Sequence, residues 1–316
     1  MSDPWMLTLK SGMTAGKRKW FWVKAAVVSL ILFYLGRKFA EGWSVPQASL
    51  RDINVADFIF SILILSLALA LLPLASKMTA EILNRKISFS KSYQAYFYSQ
   101  LGKYVPGGVW SYVGRVYLLN QQGVEKQIAL LITLLEVFFL SLSGVVCFLL
   151  SAFFWKTIPH FIIGLLWVGL VIVLSLLFSP FVLRKIGSYV GGTVDLTDFR
   201  NKSKEVSLLL LVYTCFWGMV GIAFYQMIEA VIPIPFKMVL VLWGLYPLAW
   251  IVASFVFFIP AGIGVREGAL VYLLNFYLPP HQSIGISLVS RIWWILAELF
   301  CSVLVLTWGL FHREKN

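Results

Sequence analysis

Seven ionisable side chains stand inside stretches that are otherwise apolar: Lys103, Arg115, Glu136, Arg266, Glu267, Arg291 and Glu298. Each would cost about 2.5–3.5 kcal/mol at the centre of a membrane helix, so such residues face one another, a polar interior or a ligand. Four are cations and three are carboxylates. Pairing them leaves one positive charge over, which suits an anionic ligand. Arg291 and Glu298 are seven apart and share one helix face. Two readings compete. In one the charges hold a phosphate. In the other they are ion pairs that fasten helices together, with Lys103 reaching along its stem to the headgroups.

The charges gather around two broken stretches. "LGKYVPGGVWSYVGRVYLL" occupies residues 101–119 and "FFIPAGIGVREGALVYLL" occupies 257–274. Each carries a proline, a small residue and a glycine, and each ends in Tyr-Leu-Leu. Proline removes a backbone donor and glycine loosens a helix. In hydrocarbon an unpaired backbone group costs several kcal/mol, so such breaks persist only against protein or a wet cavity. A half-helix that starts after a break presents free N–H groups and the positive end of its dipole, which suits phosphate. The candidate substrate-binding set is therefore Lys103, Gly107, Gly108, Arg115, Glu136, Gly262, Gly264, Arg266, Glu267, Arg291 and Glu298. Arg115, Arg266 and the half-helix amides are expected to hold phosphate. Glu136, Glu267 and Glu298 would balance charge or carry a proton. The aromatic residues between 93 and 112 read as an interfacial belt or as walls for lipid tails.

The elements that must position these residues are membrane helices. The chain has 316 residues, of which 60% are hydrophobic and only 13% charged. A soluble domain averages about a quarter charged. Apolar runs reach the roughly 20 residues that cross about 30 Å of hydrocarbon. Spans are expected over 20–35, 56–76, 127–154, 161–183, 206–228, 238–259 and 284–311. The pieces on either side of Pro106 are about a dozen residues each, too short to cross alone at roughly 1.5 Å per residue. The fold expected is an all-α polytopic membrane protein of about eight transmembrane helices with broken or re-entrant Pro-Gly segments, in a single domain over 1–316.

Lys and Arg concentrate before the first span, over 77–91 and over 184–204. All three can be cytoplasmic only if 93–119 leaves on the side it enters. By the same count a cytoplasmic C-terminus requires 260–278 to cross. The two broken stretches lie about 155 residues apart, close to half the chain. This spacing points to a twofold internal repeat, with halves of about 56–183 and 206–311, of the kind from which transporters are built.

The net charge of +12 is assigned to cytoplasmic loops and anionic headgroups rather than to nucleic acid. Cys147, Cys215 and Cys301 lie in apolar runs and His160, His281 and His312 stand apart, so neither a metal nor a cofactor is expected. No nucleophile–base pair, P-loop or dinucleotide fingerprint appears, which weighs against an enzyme. The alternatives to transport are a membrane glycosyl- or acyl-transferase using a lipid-linked donor, and a scaffold for envelope biosynthesis. Homo-oligomers and envelope-synthesis enzymes are the protein partners to expect.

"LGKYVPGGVWSYVGRVYLL", "LLITLLE" and "FFIPAGIGVREGALV" resemble the signatures of the flippase-like transmembrane domain of lysylphosphatidylglycerol synthases. The resemblance runs from about residue 20 to 311. It implies a bacterial or archaeal cytoplasmic membrane with both termini inside. It also implies movement of an anionic lipid between leaflets: a phospholipid, an aminoacyl-phosphatidylglycerol or a polyprenyl-phosphate glycan. The "PGGVW" form resembles stand-alone relatives encoded beside polysaccharide or glycolipid genes. The aminoacyl-transfer domain of the full synthases is not among the 316 residues, which argues against lysyl transfer.

Overall fold

The computed structural model describes residues 53–104, 109–155, 160–177, 202–254, 256, 262 and 264–313. The span expected over 20–35, together with Gly107 and Gly108, lies outside them. Every regular element described is helical. They are α1 (Val55–Ile82), α2 (Phe89–Gln100), a 3₁₀ turn (Leu101–Tyr104), α3 (Trp110–Gln121), α4 (Lys126–Ala152), α5 (His160–Leu177), α6 (Ser203–Glu229), α7 (Met238–Ser254), α8 (Val265–Leu274) and α9 (Pro280–Arg313). Among the described residues α1, α4, α6 and α9 are long and apolar enough to cross a membrane, and α7 is a shorter apolar helix. The chain is a polytopic all-α membrane protein.

α1 and α6 form the spine. They run antiparallel and are tied at both ends. At one end the Asn54 amide donates to the Ala230 carbonyl at 3.0 Å. At the other, Lys202 Nζ donates to the Ile82 carbonyl at 2.7 Å and to Asn84 Oδ1 at 2.6 Å. Asn84 adopts φ +59°, and the Arg85 amide reaches the Ala80 carbonyl at 2.8 Å. This is the left-handed stop that closes a helix, with Lys202 satisfying carbonyls the last turn leaves bare.

α2 and α3 make an antiparallel hairpin. A Cβ on Gly102 would lie 2.9 Å from the Trp110 backbone, and one on Gly114 would lie 3.6 Å from Ser99 Cβ. Moving back along one arm moves forward along the other. Both feet stand at the Lys202 end of the spine. Gln122 Nε2 donates to the Lys91 carbonyl at 3.1 Å and Arg85 pairs with Glu125 at 3.0 Å. The basic connectors around 85 and 202 therefore share one end, as the charge distribution requires.

α7 and α8 make a second hairpin, with Gly262 against Ala253 and Arg266 against Tyr246. Its feet stand at the opposite end of the bundle. Ser151 Oγ, in the last turn of α4, donates to the Val241 carbonyl at 3.2 Å, and the Trp155 and Tyr277 rings sit 6.2 Å apart. Here the structure departs from the expected crossing over 260–278. α8 has 10 residues, about 15 Å of helix, and it returns to the end from which α7 starts.

Helices approach closely where they are small. A Cβ on Gly221 would meet Trp243 Cα at 2.8 Å, and one on Gly244 would meet Ser151 Cβ at 2.5 Å and Phe148 Cα at 2.8 Å. In a membrane, where burial supplies little drive between helices, such close packing supplies it instead. Gly244→Ala should destabilise by about 1–3 kcal/mol through overpacking and lower Tm in detergent. Gly169→Ala, with no atom within 4 Å, should leave Tm unchanged or higher. Equal loss in both variants would contradict the α4–α7 crossing described here.

Candidate functional site

Two clusters of buried charge sit where the hairpins meet the long helices. The first holds the first hairpin closed. Arg115 of α3 points into the bundle because Trp110, Val113 and Tyr117 take the outward face of that helix. Its Nε donates to Ser99 Oγ at 2.9 Å, its Nη1 to Glu136 Oε2 of α4, and its guanidinium lies 3.8 Å from the centre of the Tyr96 ring. All four side chains are buried. Arg115 thus joins both arms of the hairpin to α4, with its Nε and Nη1 engaged by the protein.

The second cluster is larger. α8 begins after Gly262 at φ +61° and Gly264 at φ +86°, backbone shapes that favour glycine. The Glu267 carboxylate folds back to accept the Gly264 amide at 2.6 Å. Its other oxygen lies 3.4 Å from Arg291 Nη1 on α9 and 3.6 Å from Arg266 Nη2. Ser287 Oγ donates to the Glu267 carbonyl at 3.0 Å and fixes α8 on α9. Arg266 lies 5.7 Å from the Tyr246 ring centre and 5.6 Å from that of Trp294, in reach of both π-faces. Those two rings are stacked 5.5 Å apart.

Trp294 carries the cluster across to the first hairpin. Its Nε1 donates to Glu298 Oε1 at 2.7 Å, and the same oxygen pairs with Lys103 Nζ at the end of α2's turn. Lys103 and Glu298 are 195 positions apart in sequence, so this bridge fastens the tip of the first hairpin to α9.

The structure thus unites Lys103, Gly264, Arg266, Glu267, Arg291 and Glu298, with Gly262 at the adjoining hairpin contact. It groups Arg115 with Glu136 in a separate pair. It does not join Arg291 to Glu298 in an ion pair, although they share a face. Sequence reasoning missed Tyr96, Ser99, Tyr246 and Trp294. None carries charge, and aromatic or small residues abound in this chain. The one usable signal was spacing: Trp294 lies between Arg291 and Glu298 on their face of α9.

The family model of the lysylphosphatidylglycerol synthase TM region matches residues 21–299. The chain belongs to this family. The match takes in both hairpins and every charged residue of the two clusters, so the lysylphosphatidylglycerol synthase TM-region assignment rests on the parts of the chain described above. A comparison with curated proteins found no match.

Removing one partner of a buried ion pair strands the other and costs about 3–5 kcal/mol, whereas replacing both is near neutral or stabilising. Arg115→Met should therefore lower Tm sharply, and Arg115→Met with Glu136→Leu should regain most of the loss. A double variant melting no higher than the single would show that Arg115 acts through something other than this pair.

Proposed function

We propose that this protein moves a lipid with an anionic headgroup between the two leaflets without altering it chemically. The cargo class is a phospholipid, an aminoacyl-phosphatidylglycerol or a polyprenyl-phosphate-linked sugar. The observation that carries the reading is a cluster of the part-buried Lys103 and Arg291 with the buried Arg266 at the junction of two hairpins planted at opposite ends of the bundle. Membership of the lysylphosphatidylglycerol synthase TM-region family adds to it.

Opposed hairpins suit alternating access. Taking 56–183 and 206–311 as inverted halves, α1 answers to α6, the α2–α3 hairpin to α7–α8, and α4 to α9. The packing agrees with this pairing: α1 contacts α2 as α6 contacts α7, α3 contacts α4 as α8 contacts α9, and α4 contacts α7 as α9 contacts α2. In that arrangement each hairpin re-enters from its own leaflet. A headgroup could reach the shared cluster past one hairpin and leave past the other while its tails stay in hydrocarbon. The end bearing Arg85, Lys86 and Lys202 faces the cytoplasm by the positive-inside rule, in a bacterial or archaeal cytoplasmic membrane with both termini inside. In this reading Arg115 and Glu136 hold the first hairpin in shape, and the phosphate contacts fall to the second cluster.

The test is protein-dependent movement of fluorescent phosphatidylglycerol in proteoliposomes, read by quenching the outer leaflet. Arg266→Gln should slow it by at least roughly tenfold, equivalent to about 1.4 kcal/mol on the barrier, with monodisperse protein recovered in normal yield. Wild-type protein that moves no lipid, or a variant that moves it at the wild-type rate, would overturn the proposal.

A further inference from the structure

Packing gives Tyr246 no use for its hydroxyl. The side chain is fully buried. Its ring stacks on Trp294 at 5.5 Å and meets Phe224 at 4.8 Å and Trp293 at 6.1 Å, both edge to face. A phenylalanine would fill the same space. Yet among the described residues the hydroxyl has no hydrogen-bond partner. Buried polar groups are rarely left so, because water has been given up and nothing has replaced it.

Arg266 has the same deficit beside it. It is 5% exposed, and among the described residues its Nε and Nη2 also lack hydrogen-bond partners. Nη2 lies 3.6 Å from Glu267 Oε1, a charge contact beyond hydrogen-bond reach. Nε and Nη2 share one edge of the guanidinium plane and hold two N–H bonds side by side. That edge grips two oxygens of a single carboxylate or phosphate. The guanidinium carbon lies 5.7 Å from the Tyr246 ring centre and 5.6 Å from that of Trp294, so it sits beside the stacked pair. The arginine nitrogens can only donate, and the hydroxyl can donate. A single guest with two acceptor oxygens would satisfy all three.

We infer that Tyr246 is a headgroup-binding residue, its hydroxyl and the Nε–Nη2 edge of Arg266 together forming the subsite for the phosphoryl oxygens of the cargo. The two non-ester oxygens of a phosphate ester lie along the arginine edge, and the Tyr246 hydroxyl donates to one of them. Trp294, itself fastened to Glu298, fixes the tyrosine ring. The inference rests on the lipid-carrying reading above and deepens it, for it assigns the phosphate to two side chains, one of them uncharged.

The test is thermal stabilisation of the full-length, delipidated protein in detergent on titration with phosphatidylglycerol. Diacylglycerol with identical tails is the probe that lacks the phosphoryl group. Phosphatidylglycerol should raise the wild-type Tm and diacylglycerol should not. Tyr246→Phe deletes only the hydroxyl. It should need about tenfold more phosphatidylglycerol for the same shift, the scale of one hydrogen bond to a charged group. Its lipid-free Tm should equal or exceed that of wild type, since no protein partner is lost. Arg266→Lys keeps the charge without the paired edge and should weaken the response at least as much. Tyr225→Phe is the control, because that hydroxyl already donates to the Ile234 carbonyl, and it should keep the wild-type response. An unchanged phosphatidylglycerol response in Tyr246→Phe overturns the inference, as does equal stabilisation of wild type by the two lipids. Either result leaves movement of phosphatidylglycerol in proteoliposomes standing. The Tyr246→Phe result decides the matter even where Arg266→Lys does not fold. Dimethyl phosphate supplies the phosphoryl group without tails. If it stabilises wild type at the same concentration as phosphatidylglycerol and Tyr246→Phe weakens it equally, the subsite stands and the lipid-carrying reading falls. If no probe stabilises wild type, both fall.

Discussion

A charge inside a membrane bundle must be answered, and that requirement organises this protein. The ion pairs inside the bundle tie elements that generic apolar packing would leave free to slide. Arg115 and Glu136 bind the first hairpin to α4. Glu267 binds α8 to α9 through Arg291. Lys103 and Glu298 bind the tip of the first hairpin to the last helix. Without such ties, two hairpins whose arms number 10 to 17 residues would have only close packing to fix their depth. Lipid tails are as apolar as leucine, so a hairpin gains little by choosing one depth over another unless polar contacts choose for it.

The same logic explains which side chains surround the charges. Arg115 lies on the face of Tyr96, and Arg266 lies between Tyr246 and Trp294. An aromatic face is apolar enough to pack in the core and negative enough to favour a cation. Serines at 99 and 287 complete the neighbourhood, the one accepting from Arg115 and the other donating to the Glu267 carbonyl. The two arginines differ in what is left over. Arg115 has Nε on Ser99 and Nη1 on Glu136, while among the described residues Arg266 has Nε and Nη2 without a hydrogen-bond partner in an equally buried position. Two arginines of similar burial thus differ in how their donors are used, the one tying helices together and the other retaining unpartnered nitrogens among the described residues.

Much of this was legible in the sequence, for physical reasons that also mark the limits. The long helices follow from apolar runs such as 56–76 and 127–154, because hydrocarbon thickness sets a length no other element can meet. The breaks followed from Pro106, Gly262 and Gly264, and the charged set from its rarity in such a background. The course of 260–278 was not legible. Charge counting constrains only which ends share a side, and two crossings over 238–278 or one hairpin there satisfy it equally, because both return the chain to the side it left. The decision came from Trp155 against Tyr277 and Ser151 against Val241, contacts between aromatic and small residues that resemble dozens of others in this chain. The division of Arg115 from Arg266 was hidden for the same reason, since Ser99, Tyr96 and Tyr246 announce nothing by type.

The two hairpins suggest how a single site could serve both leaflets. In each proposed half the second arm carries a charge that meets an opposite charge on the following long helix. The signs are reversed: Arg115 to Glu136 in one, Glu267 to Arg291 in the other. A duplicated scaffold needs the tie but is indifferent to its polarity, because either order neutralises the pair. Reversal has a consequence beyond holding the arm. With the carboxylate on the arm, the second half places its cations on α9 and at Arg266, around the start of α8, where the helix dipole adds to their field. With the arginine on the arm, the first half spends its cation at Glu136. On the transport reading proposed above, one proposed half is mainly a clamp and the other mainly a receptor, and Lys103 of the first reaches Glu298 across the junction. If the two halves are the repeat proposed above, symmetric hairpins with asymmetric charge would let a carrier open by equivalent motions on both sides while holding its cargo at one place.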